Sequence, residues 1–271
     1  MKLNKKDFPE MTCDQAILEG MTSISATIHA MEQGDPQFTR KIIKILYDSQ
    51  KEKAKKKELT FLNKQAKKYG FPILPTDANE LERLTTGTSH GGIIAFCSDR
   101  KFPKVSDVFP QSPAHGFYVM LEGIEDPYNF GYALRSLYAA GADGIVLPER
   151  NWIGTVAGIV ARSSAGASEL LNIFVGNAEE TVDIFKKQGY RILCAGIRNS
   201  VSLYDANLQK PLLLIIGGEK RGISAAVLKQ ADQIVRIVYA SGFRGSLSSA
   251  ATASIMGFEI MHRNTSLVIK D

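Results

Sequence analysis

Little in this chain of 271 residues suits a disulfide-built or membrane-spanning protein. Its three cysteines, Cys13, Cys97 and Cys194, are far apart and odd in number, and no C-x-x-C pair occurs. That pattern argues against a disulfide framework and reads as reduced thiols in a cytoplasmic protein. No apolar run approaches the roughly 18 residues of a membrane span, and the charged N-terminal stretch lacks the apolar core of a secretion signal. The four histidines, His29, His90, His115 and His262, are scattered without metal-ligand spacing, so no catalytic metal is expected. A P-loop is missing, because no Gly-Lys-Ser/Thr follows a glycine-rich turn at the required spacing. A dinucleotide fingerprint is missing too, because no G-x-G-x-x-G follows a first strand.

What is present is an apolar content of 44%, ample for one large domain or two modest ones. The net charge of +5 is unevenly placed. Residues 1–104 hold 18 Lys/Arg against 13 Asp/Glu, whereas residues 105–271 hold 15 of each. Within the first part, Arg40–Lys68 carries 11 basic and 3 acidic residues. A basic face on an otherwise neutral body points to a polyanion handled by its own module, although a solvated lysine-rich helix has the same composition. Arg40, Lys41, Lys53, Lys56 and Lys57 are the candidate polyanion contacts in it.

A linker-like stretch with Asp107, Pro110, Gln111, Ser112 and Pro113 divides the chain near residue 110, giving 1–110 as a small α/β domain with its linker and 111–271 as a second domain. In the first, residues 14–33 have helical spacing, Lys41–Tyr47 reads as a strand, and Lys51–Lys68 as a helix closed by Gly70. Phe71–Leu74 and Gly92–Cys97 read as further strands, with a short helix at Asn79–Leu84. In the second, Phe117–Leu121 is a strand, followed by a turn at Asp126-Pro127 and a helix that stops at Gly141. Asn129 stands where its side chain can cap that helix. Further strands at Ile145–Leu147, Asn172–Val175 and Tyr190–Ala195 alternate with helices, which predicts a mostly parallel sheet covered on both faces.

The stretch 212–257 organises the second domain. A five-residue apolar run, Leu212–Ile216, is short enough for a buried strand, and Gly217-Gly218 follow it directly. Glycines there allow a sharp turn and bring a ligand close to main-chain groups. Glu219 is the carboxylate of that turn, and Ser224 can cap a helix through Lys229. Ile234–Val238 reads as a second buried strand. A loop over Ala240–Gly245 feeds a final helix rich in Ser, Ala and Gly, whose small side chains permit close helix packing. Two strand–glycine–helix units in succession suggest a ligand held mainly by backbone atoms, although ordinary α/β turns look alike.

Three stretches, EDPYNFGYALRS, IIGGEKRGIS and GFRGSLSSAATASI, together resemble in order and spacing the three motifs of the SpoU (TrmH-like) family of RNA ribose 2′-O-methyltransferases. The likeness covers about residues 117–261. The segment GTSHGGIIAFCS also resembles the ribosomal-protein-like recognition domain that many members carry. The resemblance implies a deep C-terminal trefoil knot, S-adenosylmethionine bound within it, a homodimer formed through it, and an RNA substrate, ribosomal or transfer. Carried over by position, it implies cofactor contacts at Gly217, Gly218, Val238, Gly242 and Leu247, and catalytic roles for Asn129, Arg135, Glu219, Ser246 and Ser248. Arg244, in the third-motif loop, would meet RNA phosphate. Two positions depart from the family pattern: Ser248 stands where an asparagine is usual, and Tyr239 where a proline is usual. A second reading, an RNA-binding protein that keeps the fold without turnover, draws on those departures.

The chemistry so implied has one difficult partner. A ribose 2′-hydroxyl is a weak acid and a poor nucleophile, so the site must align it with the methyl group and assist loss of its proton. Arg135 stays protonated and is therefore no base. Its expected role is to bind a phosphate or the developing alkoxide. Asn129 and Arg135 are separated by about 600° of helical rotation, so their joint use needs loop geometry or another subunit.

Overall fold

The computed structural model describes residues 15–85, 90–108, 115–148, 153–240, 243 and 245–265. Two compact units form, one comprising the residues up to Lys101 with Gly154–Gly158, the other Phe102–Ile153 with the residues from Ile159 onward.

The first unit contains β1 (Gln15–Glu19), α1 (Gly20–Gln33), β2 (Ile42–Asp48), α2 (Lys56–Tyr69), β3 (Ile73–Thr76), α3 (Ala78–Leu84) and β4 (Ile93–Ser98). Its sheet has the order β1-β4-β2-β3, with β4 antiparallel to both β1 and β2 and with β2 parallel to β3. The single helix expected over 14–33 is therefore a strand followed by a helix. Gly20 supplies the turn between them at φ 77°, and Ala16 and Leu18 bury one face of β1. Helix α2 begins at Lys56 rather than Lys51, since Asp48 accepts from the Gln50 N–H and holds residues 49–51 in a tighter turn. Its end at Gly70 is as expected: Gly70 is left-handed at φ 78° and donates to Ala66 O.

The second unit contains α4 (Val105–Val108), β5 (Phe117–Glu122), α5 (Pro127–Ala139), β6 (Gly144–Pro148), α6 (Ile153–Ser163) apart from its Gly154–Gly158 stretch, α7 (Ala167–Leu170), β7 (Ile173–Gly176), α8 (Ala178–Lys187), β8 (Arg191–Ala195), β9 (Val201–Ser202), β10 (Leu212–Gly217), α9 (Ala225–Gln230), β11 (Gln233–Arg236) and α10 (Ser249–Asn264). Seven strands lie in the order β7-β6-β5-β10-β8-β11-β9, and every neighbouring pair is parallel. The unit begins before the expected boundary near 110. Val105 is buried in its core beside Phe174 and Phe185, and Val175 donates to Pro103 O at 2.9 Å.

Strand β10 lies between β5 and β8, and its apolar run is buried, as a strand covered on both faces requires. A T-shaped aromatic group, Tyr118, Phe185 and Tyr190, fills one side of the core. On the other side α5 packs on α10. A Cβ at Gly257 would come within 3.2 Å of Ala140 Cβ and Leu137 Cδ2, and Ser254 Oγ donates to Ser136 Oγ at 2.7 Å. The small residues of α10 thus serve the close packing expected of them. Because the strands are parallel, the C-terminal ends of β5, β8, β10 and β11 face one edge, where their loops converge. Among the described residues no helix is long and apolar enough to cross a membrane.

Candidate functional site

Strand β10 ends against the loop after β5. Gly218 donates to Glu122 O at 2.6 Å, and Gly222, left-handed at φ 64°, donates back to Gly218 O at 2.9 Å. The turn has no room for side chains. A Cβ on Gly217 would lie 2.4 Å from Gly222 C, and one on Gly218 would lie 1.9 Å from Gly123 O. The two glycines singled out from the sequence are therefore demanded by backbone-to-backbone approach.

The loop after β5 leads into α5, whose first turn holds Pro127, a good residue at that position. The cap is Asp126, not Asn129: Asp126 Oδ1 accepts from the Asn129 N–H at 2.7 Å. This frees the Asn129 side chain, and its Nδ2 donates to Glu219 Oε1 at 2.9 Å. Two motifs far apart in sequence are thereby joined. Beside them Lys220 Nζ and Glu125 Oε2 pair at 2.8 Å. The hydrogen bond between them holds the Glu125 carboxyl below its usual range and lifts the Lys220 ammonium above its own.

The third motif closes the site from above. Ser248 is the N-cap of α10, accepting from the Ala251 N–H at 3.2 Å. The next residue, Ser249, donates from Oγ to Gly217 O at 3.0 Å and fastens the start of α10 to the end of β10. Tyr239 accepts through its hydroxyl from the Leu247 N–H at 3.3 Å and meets Phe243 edge-on at 5.3 Å between ring centroids. The tyrosine that stands in place of the family's proline thus ties both ends of the third-motif loop together.

Two cavities result. One, of about 580 Å³, is walled by Ala195–Asn199 at the end of β8 and beyond, Ile216–Glu219 at the end of β10 and beyond, and Ile237, Tyr239, Leu247 and Met256. The other, of about 440 Å³, is lined by Gly123–Pro127, Asn129, Glu219, Lys220 and Ser249. Glu219 and Ser249 border both. The larger has the size of a small-molecule site and the usual makeup of one, apolar walls with a few polar groups. Its polar lining side chains include Arg198, Asn199, Glu219, Tyr239 and Ser246, set among apolar walls such as Ile216, Ile223, Leu247 and Met256.

Of the residues expected at the site, Asn129, Gly217, Gly218, Glu219, Ser246 and Leu247 are brought together around these cavities. Val238 is 54% exposed beyond the end of β11, which stops at Arg236; its neighbours Ile237 and Tyr239 line the larger cavity. Ser248 lines neither of the two, since its hydroxyl serves the helix cap. Arg135 is exposed on α5 and also lines neither. Gly242 and Arg244 lie outside the described residues. In the first unit, Lys41, Lys53, Lys56 and Lys57 are exposed, but Arg40 is not. It is 2% exposed and donates from Nη1 to Ser98 O at 3.0 Å, so it braces the sheet and offers no phosphate contact. His90 is buried and accepts through Nδ1 from the Gly92 N–H, which supports the turn into β4. No cluster of metal ligands occurs among the described residues.

Sequence reasoning missed Ser249, Asp126 and the turn after β8. The last repeated a signal already in use, an apolar strand running into a glycine, here Gly196. Ser249 carried no signal of its own in a run of small residues.

The model of the SpoU rRNA Methylase family matches residues 116–258. The 23S rRNA (guanosine-2′-O-)-methyltransferase RlmB of Shewanella oneidensis is 31% identical over 211 residues, which are 77% of this chain and 85% of that protein. The fold is similar to that of an AdoMet-bound rRNA methyltransferase from Sinorhizobium meliloti, with TM-score 0.75 and 22% identity over 93% of this chain and 89% of that one. It is similar also to the SpoU methyltransferase AviRb from Streptomyces viridochromogenes in complex with AdoMet, with TM-score 0.72 and 19% identity over 92% and 90%. With three motifs folded into one site and a matching family model over more than half its length, this chain belongs to the SpoU rRNA Methylase family.

Proposed function

We propose that the protein transfers a methyl group from S-adenosylmethionine to a ribose 2′-hydroxyl of ribosomal RNA. One observation carries the reading: the Asn129–Glu219 hydrogen bond stands where a cofactor-sized cavity and a second, polar cavity meet. The RNA and the ribose position follow the Shewanella relative, named for 2′-O methylation of 23S rRNA.

The cofactor, when bound, supplies a methyl group already activated by a positively charged sulfur. The main chain at Gly217, Gly218 and Leu247 would hold it, with Val238 and Gly242 completing the set that the family resemblance implies. Asn129 occupies one oxygen of Glu219 and so orients the carboxylate, whose other oxygen is left to accept from the acceptor nucleotide. Ser246, exposed at the rim of the larger cavity, can donate or accept a further hydrogen bond. Arg135 neutralises the alkoxide as it develops or holds the adjoining phosphate.

A homodimer formed through the knotted second domain brings Arg135 into use. Exposed Tyr128, Tyr132 and Tyr138 on α5 and Phe258 on α10 offer an apolar surface for a second copy. Arg135 lies on α5 among those tyrosines, and a partner's α5 would carry it to the cavities it does not line in its own chain. The knot is supported by the late strand β10 lying between β5 and β8. The first unit presents Lys41, Lys53, Lys56 and Lys57 to RNA phosphate, with Arg244 adding to them from the third-motif loop.

The test is methyl transfer from labelled S-adenosylmethionine to RNA from cells lacking the gene, followed by nucleoside identification. A labelled 2′-O-methyl nucleoside, lost with Arg135→Ala, is the expected result. No label from protein that binds the cofactor would overturn the proposal in favour of RNA binding without turnover.

A further inference from the structure

Helix α2 presents one unusual face. Leu59, Leu62 and Gln65 are buried against the first unit, and opposite them Lys57, Phe61, Lys64 and Lys68 are all exposed. Those four follow one another at spacings of four, three and four residues, so they form a single stripe along the helix. Phe61 is 37% exposed and sits within that stripe, with Lys57 a turn before it and Lys64 a turn after. Lys68 also lies 4.9 Å over the Tyr69 ring and 3.8 Å from Glu32, which steadies its ammonium at the end of the stripe.

We infer that this stripe binds an unpaired segment of RNA, with one base stacked on Phe61 and the flanking phosphates on Lys57, Lys64 and Lys68. The inference deepens the RNA-methyltransferase reading and rests on it. Lysines alone would suit any polyanion, because phosphate contacts carry charge and no sequence. The ring decides the class of partner. Against a duplex, Phe61 would face phosphates and lose water for no gain, since paired bases show no face to the surface. An open loop or bulge offers a base plane, and stacking on an aromatic ring flanked by cations is how unpaired nucleotides are held. Neither Arg40, which is buried, nor the cavities of the second unit take part.

The full-length protein would be titrated, by fluorescence anisotropy, with an RNA hairpin bearing an open loop and with the same stem closed into uninterrupted duplex. Phe61→Ala is expected to weaken loop binding at least about fivefold while duplex binding holds. Phe61→Trp should restore it, and Lys57→Ala with Lys64→Ala should flatten the salt dependence for both RNAs. Circular dichroism keeps folding in view. Wild-type protein that binds loop RNA, with Phe61→Ala matching it or weakening both RNAs alike, overturns the stripe and leaves the methyltransferase reading standing. Wild-type protein that binds neither RNA at low salt removes that reading and the stripe with it.

Discussion

The Asn129 amide donates to Glu219 Oε1 across 2.9 Å, joining two residues ninety positions apart at the junction of two cavities. Asn129→Ala should leave Glu219 unoriented and lower kcat by about 10²-fold. Calorimetry should find cofactor affinity nearly unchanged, because Asn129 lines only the smaller cavity. Normal turnover in this variant would reduce Asn129 to a bystander.

The turn after β10 tolerates no added carbon. In Gly218→Ala the new Cβ would stand 1.9 Å from Gly123 O, an atom of a neighbouring backbone that cannot swing aside. We expect a loss of about 3 kcal/mol in unfolding free energy, at the upper end for overpacking, together with loss of cofactor binding. Thermal and urea unfolding would measure it. An unaltered midpoint would mean that the two loops separate at little cost.

Arg135 is exposed, so Arg135→Ala should fold normally and lose about 10²–10³ in rate. If a partner supplies this arginine, mixing Arg135→Ala with Asn129→Ala protein should restore activity. A mixed dimer has one site with both residues intact, so random exchange yields about a quarter of wild-type sites. Mixtures no more active than either parent would place both residues in the same chain's site.

Within the basic segment, burial separates structural from binding residues. Arg40→Met should cost about 2 kcal/mol of stability through the lost charged hydrogen bond to Ser98 O and leave the salt slope of RNA binding alone. Charge reversal at Lys56 and Lys57 should do the opposite. RNA titrations at several salt concentrations, beside unfolding curves, would expose a reversed pattern.

Alkali should weaken the second unit. Burial first, then the neighbouring Tyr190 and Asp143, push the Tyr118 phenol from its ordinary 10.0 to about 12. Burial likewise moves the Cys194 thiol from 9.0 to about 12, with Glu122 and Asp232 adding to it. Both groups release protons more readily when unfolded. Their stabilisation is therefore complete below pH 9.0 and drains as pH climbs toward about 12. Urea midpoints should fall across that window, and Tyr118→Phe should shallow the fall. A flat profile would contradict the burial argument. The same burial should leave Cys194 inert to thiol reagents in the native state.

The sequence by itself determined most of the elements, though not β1, α4, α7 or β9, together with the parallel sheet of the second domain and the glycine turn after Leu212–Ile216. Each follows from local physics: apolar runs that need cover on both faces, glycines where backbones meet, a left-handed glycine closing α2. It also placed Asn129, Gly217, Glu219 and Leu247 at one site, through motifs whose order and spacing a chain carries visibly. Only the tertiary structure decided what those residues do there. Asn129 looked like a cap until Asp126, three residues earlier, was found in that role, and the freed amide reached a carboxylate ninety residues away. Arg40 looked like its basic neighbours until the sheet enclosed it. Ser248 and Ser249 are neighbours of one type, yet one caps its own helix while the other holds β10. Composition and periodicity report what a residue can do. Which partner it meets depends on contacts closed over long stretches of chain, and those contacts exist only once the strands have taken their order in the sheet.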